Sequence, residues 1–142
     1  MPHMTRQTAN IILYRERTGL EVFLVSRSSE MRFLGGYLAF PGGKVEPGDE
    51  TLPLAGEADN PQRALLGCAV RELFEETGIL AVQDTSLLKK NAASLRLELL
   101  DGGTAEEFFS SMAKAGAILE QGILRSEEHT SELQSRAYLV FR

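Results

Sequence analysis

Cysteine is nearly missing from this chain. Cys68 is the only one in 142 residues, so no intramolecular disulfide can form, and at a helical position the residue reads as core packing rather than as a reactive thiol. Long apolar runs are missing too. No stretch approaches the length needed to span a bilayer, and the N-terminal MPHMTRQT lacks an apolar leader core. The expectation is a soluble, cytoplasmic protein with no membrane partner. Positive charge is in short supply: 15 Lys and Arg stand against 20 Asp and Glu, a net charge of -5. That balance excludes a protein that coats nucleic acid. The length, with 43% hydrophobic residues, supplies one core and is too short for two ordinary domains. Oligomeric state is not legible.

What is present is concentrated in RELFEETGI, residues 71–79. At roughly 100° per residue, Glu72, Glu75 and Glu76 project to one side of a helix, where their charges repel unless a cation relieves them. Hard divalent cations prefer carboxylate oxygen. Leu66, Val70, Leu73 and Phe74 fall on a roughly opposite arc and give the helix a core-facing side. A solvated acidic face is the alternative reading of such a triplet taken alone.

A glycine-rich turn upstream, FPGGKVEPGDE at residues 40–50, shifts that balance. The two pieces together resemble the Nudix box, Gly-x5-Glu-x7-Arg-Glu-apolar-x-Glu-Glu-x-Gly-apolar. Arg71, Glu72, Leu73, Glu75, Glu76, Gly78 and Ile79 match its second half without exception. The first half departs from it. Counted from Gly43, the position due a glutamate carries Asp49, whose role stays open. Residues 50–70 put 21 residues before Arg71 where the pattern has seven, a surplus of 14, roughly TLPLAGEADNPQRA. Asn60-Pro61 reads as a helix N-cap followed by proline at the first helical position. An insertion ending there lengthens the loop without rotating the carboxylates.

A second element lies just upstream. Arg27-Ser28, Arg32, Gly36 and then Phe40-Pro41-Gly42-Gly43 resemble the segment that precedes the box in Nudix hydrolases acting on coenzyme A. Guanidinium groups bind phosphate through paired, charge-assisted hydrogen bonds, and a substrate with a diphosphate and a ribose phosphate offers several partners. Pairing of Arg27 and Arg32 with surface acids is the plainer alternative.

Along the rest of the chain, residues 9–15 and 20–27 read as a β-hairpin, and Tyr37 to Phe40 as a short strand. A helix runs from about Pro61 to Thr77 and stops at Gly78. Ile79 to Val82 reads as a strand. Leu88, Ala92, Leu95 and Leu99 have helical spacing, Asp101-Gly102-Gly103 ends that segment, and Thr104 caps a further helix closing at Gly116. These two helices either shape substrate entry or simply pack.

From Arg125 the sequence reads RSEEHTSELQS, which is the translation of a common short-read sequencing adapter. Tyr138, Leu139, Val140 and Arg142 continue the agreement and Phe141 departs from it. Residues 125–142 therefore read as a non-native tail, to be set aside from fold reasoning. His129 is then not catalytic, and residues 1–124 form a domain expected to lack its last strands and to be marginal in stability, with a sheet edge left uncovered. Glu98, Glu106 and Glu107 are the remaining candidates for a further metal carboxylate.

The resemblance implies an α/β fold, a Nudix-type α/β/α sandwich with a mixed β-sheet, C-terminally truncated. It implies hydrolysis of a nucleoside diphosphate derivative, a small-molecule substrate, with Mg²⁺ or Mn²⁺ held by Glu72 and Glu76 and helped by Glu75 and the Gly43 carbonyl. Arg71 orients the carboxylates, Glu75 or Glu76 takes the proton of water, and Arg27, Arg32, Gly42 and Gly43 meet the substrate. The upstream element points to coenzyme A or an acyl derivative. A dinucleotide, a nucleotide sugar and a catalytically silent truncated fold are the alternatives.

Overall fold

β1 (Thr8–Glu16) is the central strand, against which three others pair directly. The computed structural model of the chain describes residues 7–30, 32, 35–81, 91–120, 124–126 and 136–141. Alternation along β1 buries Ala9 and Ile11 completely and rests Leu13 on the core, leaving Asn10, Ile12 and Tyr14 half-buried on the other face. β2 (Leu20–Val22) folds back on β1 with Glu16 opposite Leu20, as the hairpin pattern predicts. The expected second strand is broken after Phe23, whose amide donates to Leu13 O. The chain then crosses to pair β3 (Val25–Ser26) with β4 (Leu38–Ala39).

β5 (Gly42–Lys44) runs antiparallel to the start of β1, with Asn10 opposite Gly42. A methyl group on Gly42 would overlap Ala9 O and the Asn10 side chain, so this close strand approach requires glycine. β8 (Leu124–Ser126) lies parallel to β9 (Arg136–Phe141), and β9 runs antiparallel to β1 from Ala9 to Tyr14. The 5-stranded sheet is therefore mixed. The segment set aside on sequence grounds supplies β9 and the last two residues of β8, so the edge expected to be bare is paired. Backbone ladders are made by N–H and C=O groups that every residue carries, and are nearly blind to side-chain identity.

α1 (Asn60–Thr77) packs across this sheet. Its cap is Asp59, one residue earlier than expected: the carboxylate accepts from the Gln62 amide at 2.8 Å, and Pro61 falls within the first turn. Gly78 ends it in a left-handed conformation, φ 76°, donating to Phe74 O. Leu66, Val70, Leu73 and Phe74 are buried as their spacing predicts, together with Cys68 and Ala69. Ile79 to Ala81 form no strand, although Leu80 and Ala81 rest on the core; Val82 and Leu88 lie outside the described residues.

α2 (Ala92–Leu100) turns Leu95 and Leu99 inward. α3 (Ala105–Lys114) opens with a reciprocal capping box between Thr104 and Glu107. Its Phe108 stacks on Phe74 of α1 with ring centroids 5.3 Å apart. The 14 surplus residues are tethered rather than loose. Leu52 is fully buried, and β6 (Leu54–Ala55) pairs in parallel with β7 (Leu119–Glu120).

Gly67, within α1, faces the Asp49 backbone so closely that a methyl group would overlap the Asp49 carbonyl. Gly67→Ala should destabilise the fold by about 1–3 kcal/mol through overpacking, read as a lower urea midpoint. An unchanged midpoint would show that the loop yields.

Candidate active site

The site is built around one buried cation. Arg71 is 1% exposed, and a lone guanidinium at that depth would be heavily penalised. Each face of the fork is met. Nε and Nη2 donate to the two oxygens of Asp49 at 2.8 and 3.0 Å, and Nη2 also donates to Lys44 O at 3.0 Å. Nη1 donates to Glu72 Oε1 at 3.0 Å and Glu75 Oε2 at 3.2 Å, with Glu46 3.7 Å away. The bidentate Asp49 pair has the geometry for which arginine is suited.

Asp49 is itself fully buried and accepts from the Glu46 amide at 2.8 Å. Its place in the site is clear in three dimensions: it is the acid that holds Arg71. The shorter side chain stands where the Nudix pattern has glutamate, and the close approach at Gly67 lets its backbone come near enough to reach. Sequence spacing from Gly43 marked the position. The compensating glycine, 18 residues further along, carried no signal by itself.

Glu72 and Glu75 are drawn together on Arg71 Nη1, whereas Glu76 is directed elsewhere, to a backbone hydrogen bond from Gly42 and the nearby Arg27 charge. Glu72 and Glu76 both meet the Gly42–Gly43 bend. A methyl group on Gly43 would overlap the Glu72 carboxyl group, so glycine there keeps the bend against the helix. The Gly43 carbonyl accepts from Cys68 Sγ at 3.4 Å. Burial, then the Asp49 charge, push that thiol up to about 12, consistent with packing rather than reactivity.

The electrostatics follow from crowding. Burial raises Glu72, and repulsion from Glu75 and Glu76 adds to it, so that despite Arg71 its pKa is pushed up to about 7. Burial also raises Glu75, against Arg71 and with Glu46. Glu76 has an exposed surface, yet partial desolvation raises it over the opposing Gly42 hydrogen bond and Arg27 charge. Burial disfavours the Arg71 charge, but Asp49 more than offsets this and holds the guanidinium above its usual range.

Among the described residues no three acidic, imidazole or thiol groups stand ready to ligate a metal ion, because Arg71 and the Gly42 amide divide the carboxylates between them. The donor chemistry still fits a hard divalent cation: partly desolvated carboxylate oxygens with raised pKa values, beside a single buried guanidinium.

Arg27 lies between β3 and β4, its amide donating to Tyr37 O at 2.9 Å. Its Nε is buried without a hydrogen-bond partner among the described residues. Arg32 is exposed. Of the further carboxylates, Glu107 is engaged in the α3 capping box, and Glu98 and Glu106 are exposed.

Residues 4–133 match the NUDIX domain family. A Caenorhabditis elegans protein named as a nudix hydrolase is 30% identical over 118 residues, covering 81% of this chain and 37% of that protein. The chain thus spans well under half the length of this curated relative. The crystal structure of a NUDIX hydrolase from Alicyclobacillus acidocaldarius superposes with a TM-score of 0.61 at 29% identity, over 92% of this chain and 64% of that one.

Asp49→Ala should cost about 3–5 kcal/mol, the penalty of leaving a buried charge without its principal partner, measured by urea unfolding. A loss under about 1 kcal/mol would show that Glu72 and Glu75 suffice to hold Arg71. The raised pKa of Glu72 carries a sign. The folded state binds this proton more tightly than the unfolded chain, so the contribution is present below the ordinary value of 4.5 and is lost as pH rises through about 7. Without divalent cation, the melting temperature should fall across that window more steeply than for Glu72→Gln; equal slopes would contradict it.

Proposed function

The chain belongs to the Nudix family, and from that premise we propose that it is a divalent-metal-dependent hydrolase of a diphosphate bond in a nucleoside diphosphate derivative. Coenzyme A or an acyl-coenzyme A is the substrate class. The observation that carries this reading is the carboxylate turn of α1, braced by Arg71 and set against the Gly42–Gly43 bend.

Diphosphates resist attack because their negative oxygens repel an incoming nucleophile. Nudix hydrolases generally need a divalent cation; Mg²⁺ or Mn²⁺ held by Glu72 and Glu76, with Glu75 and the Gly43 carbonyl as helpers, would neutralise that charge and acidify an attacking water. The protein's own groups do the rest. Arg71 fixes the rotamers of Glu72 and Glu75 through its charge-assisted bonds. Glu75 or Glu76 accepts the proton of the water as its oxygen bonds to phosphorus and the bridging oxygen departs. Burial raises both carboxyls above the ordinary carboxylate value, which makes either a stronger proton acceptor once ionised.

The choice of coenzyme A is supported by Arg27 and Arg32, in the element upstream of Gly42 and Gly43. The buried Nε of Arg27, without a hydrogen-bond partner among the described residues, leaves a donor for a phosphate oxygen beside Glu76. Cleavage would release 3′,5′-ADP and a phosphopantetheine. As a separate proposal, residues 125–142 derive from an adapter, with β9 paired along β1. Re-sequencing the source locus beyond Leu124 decides that.

Incubating the protein with coenzyme A, NADH and ADP-ribose under Mg²⁺ or Mn²⁺, and weighing the products, tests the substrate. Coenzyme A cleavage is expected to dominate and to stop on chelation. Preferred cleavage of another substrate would redirect the assignment to dinucleotides or nucleotide sugars, and binding without turnover would mark a silent fold. Glu76→Gln should lower turnover by on the order of 10²–10⁴-fold with the melting temperature little changed. Retained activity would remove Glu76 from the site.

A further inference from the structure

The last turn of a helix leaves carbonyls with no intrahelical partner, and in α1 that turn carries the carboxylates. Two carbonyls near this end are met locally. Phe74 O accepts from the Gly78 amide at 2.8 Å, and Leu73 O accepts in addition from Thr77 Oγ1 at 2.6 Å. Glu75 O is met from outside. Arg96, on α2, donates to it from Nε at 3.0 Å. The arginine stem passes over the helix end, its Cδ 3.7 Å from where a methyl group on Gly78 would lie.

We propose that Arg96 is a positioning residue for the carboxylate turn, a reading that rests on the diphosphatase assignment above. Glu75 is held twice by guanidinium groups from different elements: its carboxylate by Arg71 Nη1 at 3.2 Å, its carbonyl by Arg96 Nε at 3.0 Å. Arg71 fixes the start of the run and Arg96 its end, so the turn that carries Glu75 and Glu76 is clamped across its length. Arg71 and Arg27 are the cations that favour the charged forms of Glu75 and Glu76, respectively, whereas the Arg96 contact is to a backbone oxygen. Arg96 therefore works through the backbone. A donor matters at this position, and a full guanidinium does not. Catalytic carboxylates tolerate little misplacement, since an error of about 1 Å can cost on the order of 10²-fold in rate.

The test compares Arg96→Met, which keeps the stem and removes the donor, with Arg96→Lys, which keeps one donor, in the full chain. Arg96→Met is expected to lower kcat by roughly 10–100-fold with KM within about twofold, and to speed hydrogen exchange at the Gly78 amide. Arg96→Lys is expected to recover most of both. Equal loss in the two variants, tracking the melting temperature and accompanied by a matching rise in KM, would reduce Arg96 to a general stabiliser and overturn the proposal. So would unchanged kcat and exchange in Arg96→Met. If the native chain cleaves no diphosphate, the diphosphatase reading fails by itself, and unchanged Gly78 exchange in Arg96→Met would still overturn the clamp.

Discussion

A single guanidinium, sealed from water, is the constraint to which the rest of this molecule answers. Arg71 is stable at that depth only because Asp49, Lys44 O, Glu72 and Glu75 surround it. Those partners come from three parts of the fold. Lys44 ends β5, Asp49 opens the turn after Gly48, and the two glutamates follow on the same helix. Satisfying one cation therefore fixes the sheet, the loop and the helix relative to one another. Burial, with neighbouring carboxylate charge adding to it, is why the acids titrate late.

Glycine does the complementary work of admitting close approach. Gly42 lets β5 lie against β1, Gly43 lets the bend touch Glu72, and Gly67 lets the Asp49 backbone press on α1. The last of these explains how an aspartate serves where a longer acid is usual. The other helices support the same turn from behind, through the Phe74–Phe108 stack and the Arg96 bond to Glu75 O.

How much of this was legible beforehand depended on whether the relevant neighbours were near in sequence. The spacing of Glu72, Glu75 and Glu76 and the inward arc of Leu66, Val70, Leu73 and Phe74 follow from helical periodicity, which is local. The Thr104 cap and the Gly78 stop are equally local. The roles of Asp49 and Arg96 are not, since each meets its partner more than 20 residues away. The division of the carboxylates between Arg71 and Gly42 also escaped spacing, because a helical wheel gives directions and not the donors that compete for them. Ile79 to Ala81 look like a strand by composition, but composition cannot distinguish a ladder from an apolar strap over the core. Setting aside the tail on grounds of origin likewise said nothing about whether its backbone would pair.

The parallel pairing of Leu54–Ala55 with Leu119–Glu120 has an engineering consequence. It ties down the loop's stem, and Asp59 ties down the helix that follows, leaving an outward tip around residues 56–58 between two fixed points. Extra length at that tip is absorbed between anchors and cannot be transmitted to α1 as rotation. A reporter peptide or affinity handle spliced there would travel with the folded molecule while the acidic turn, on the far side of the anchors, kept its aim.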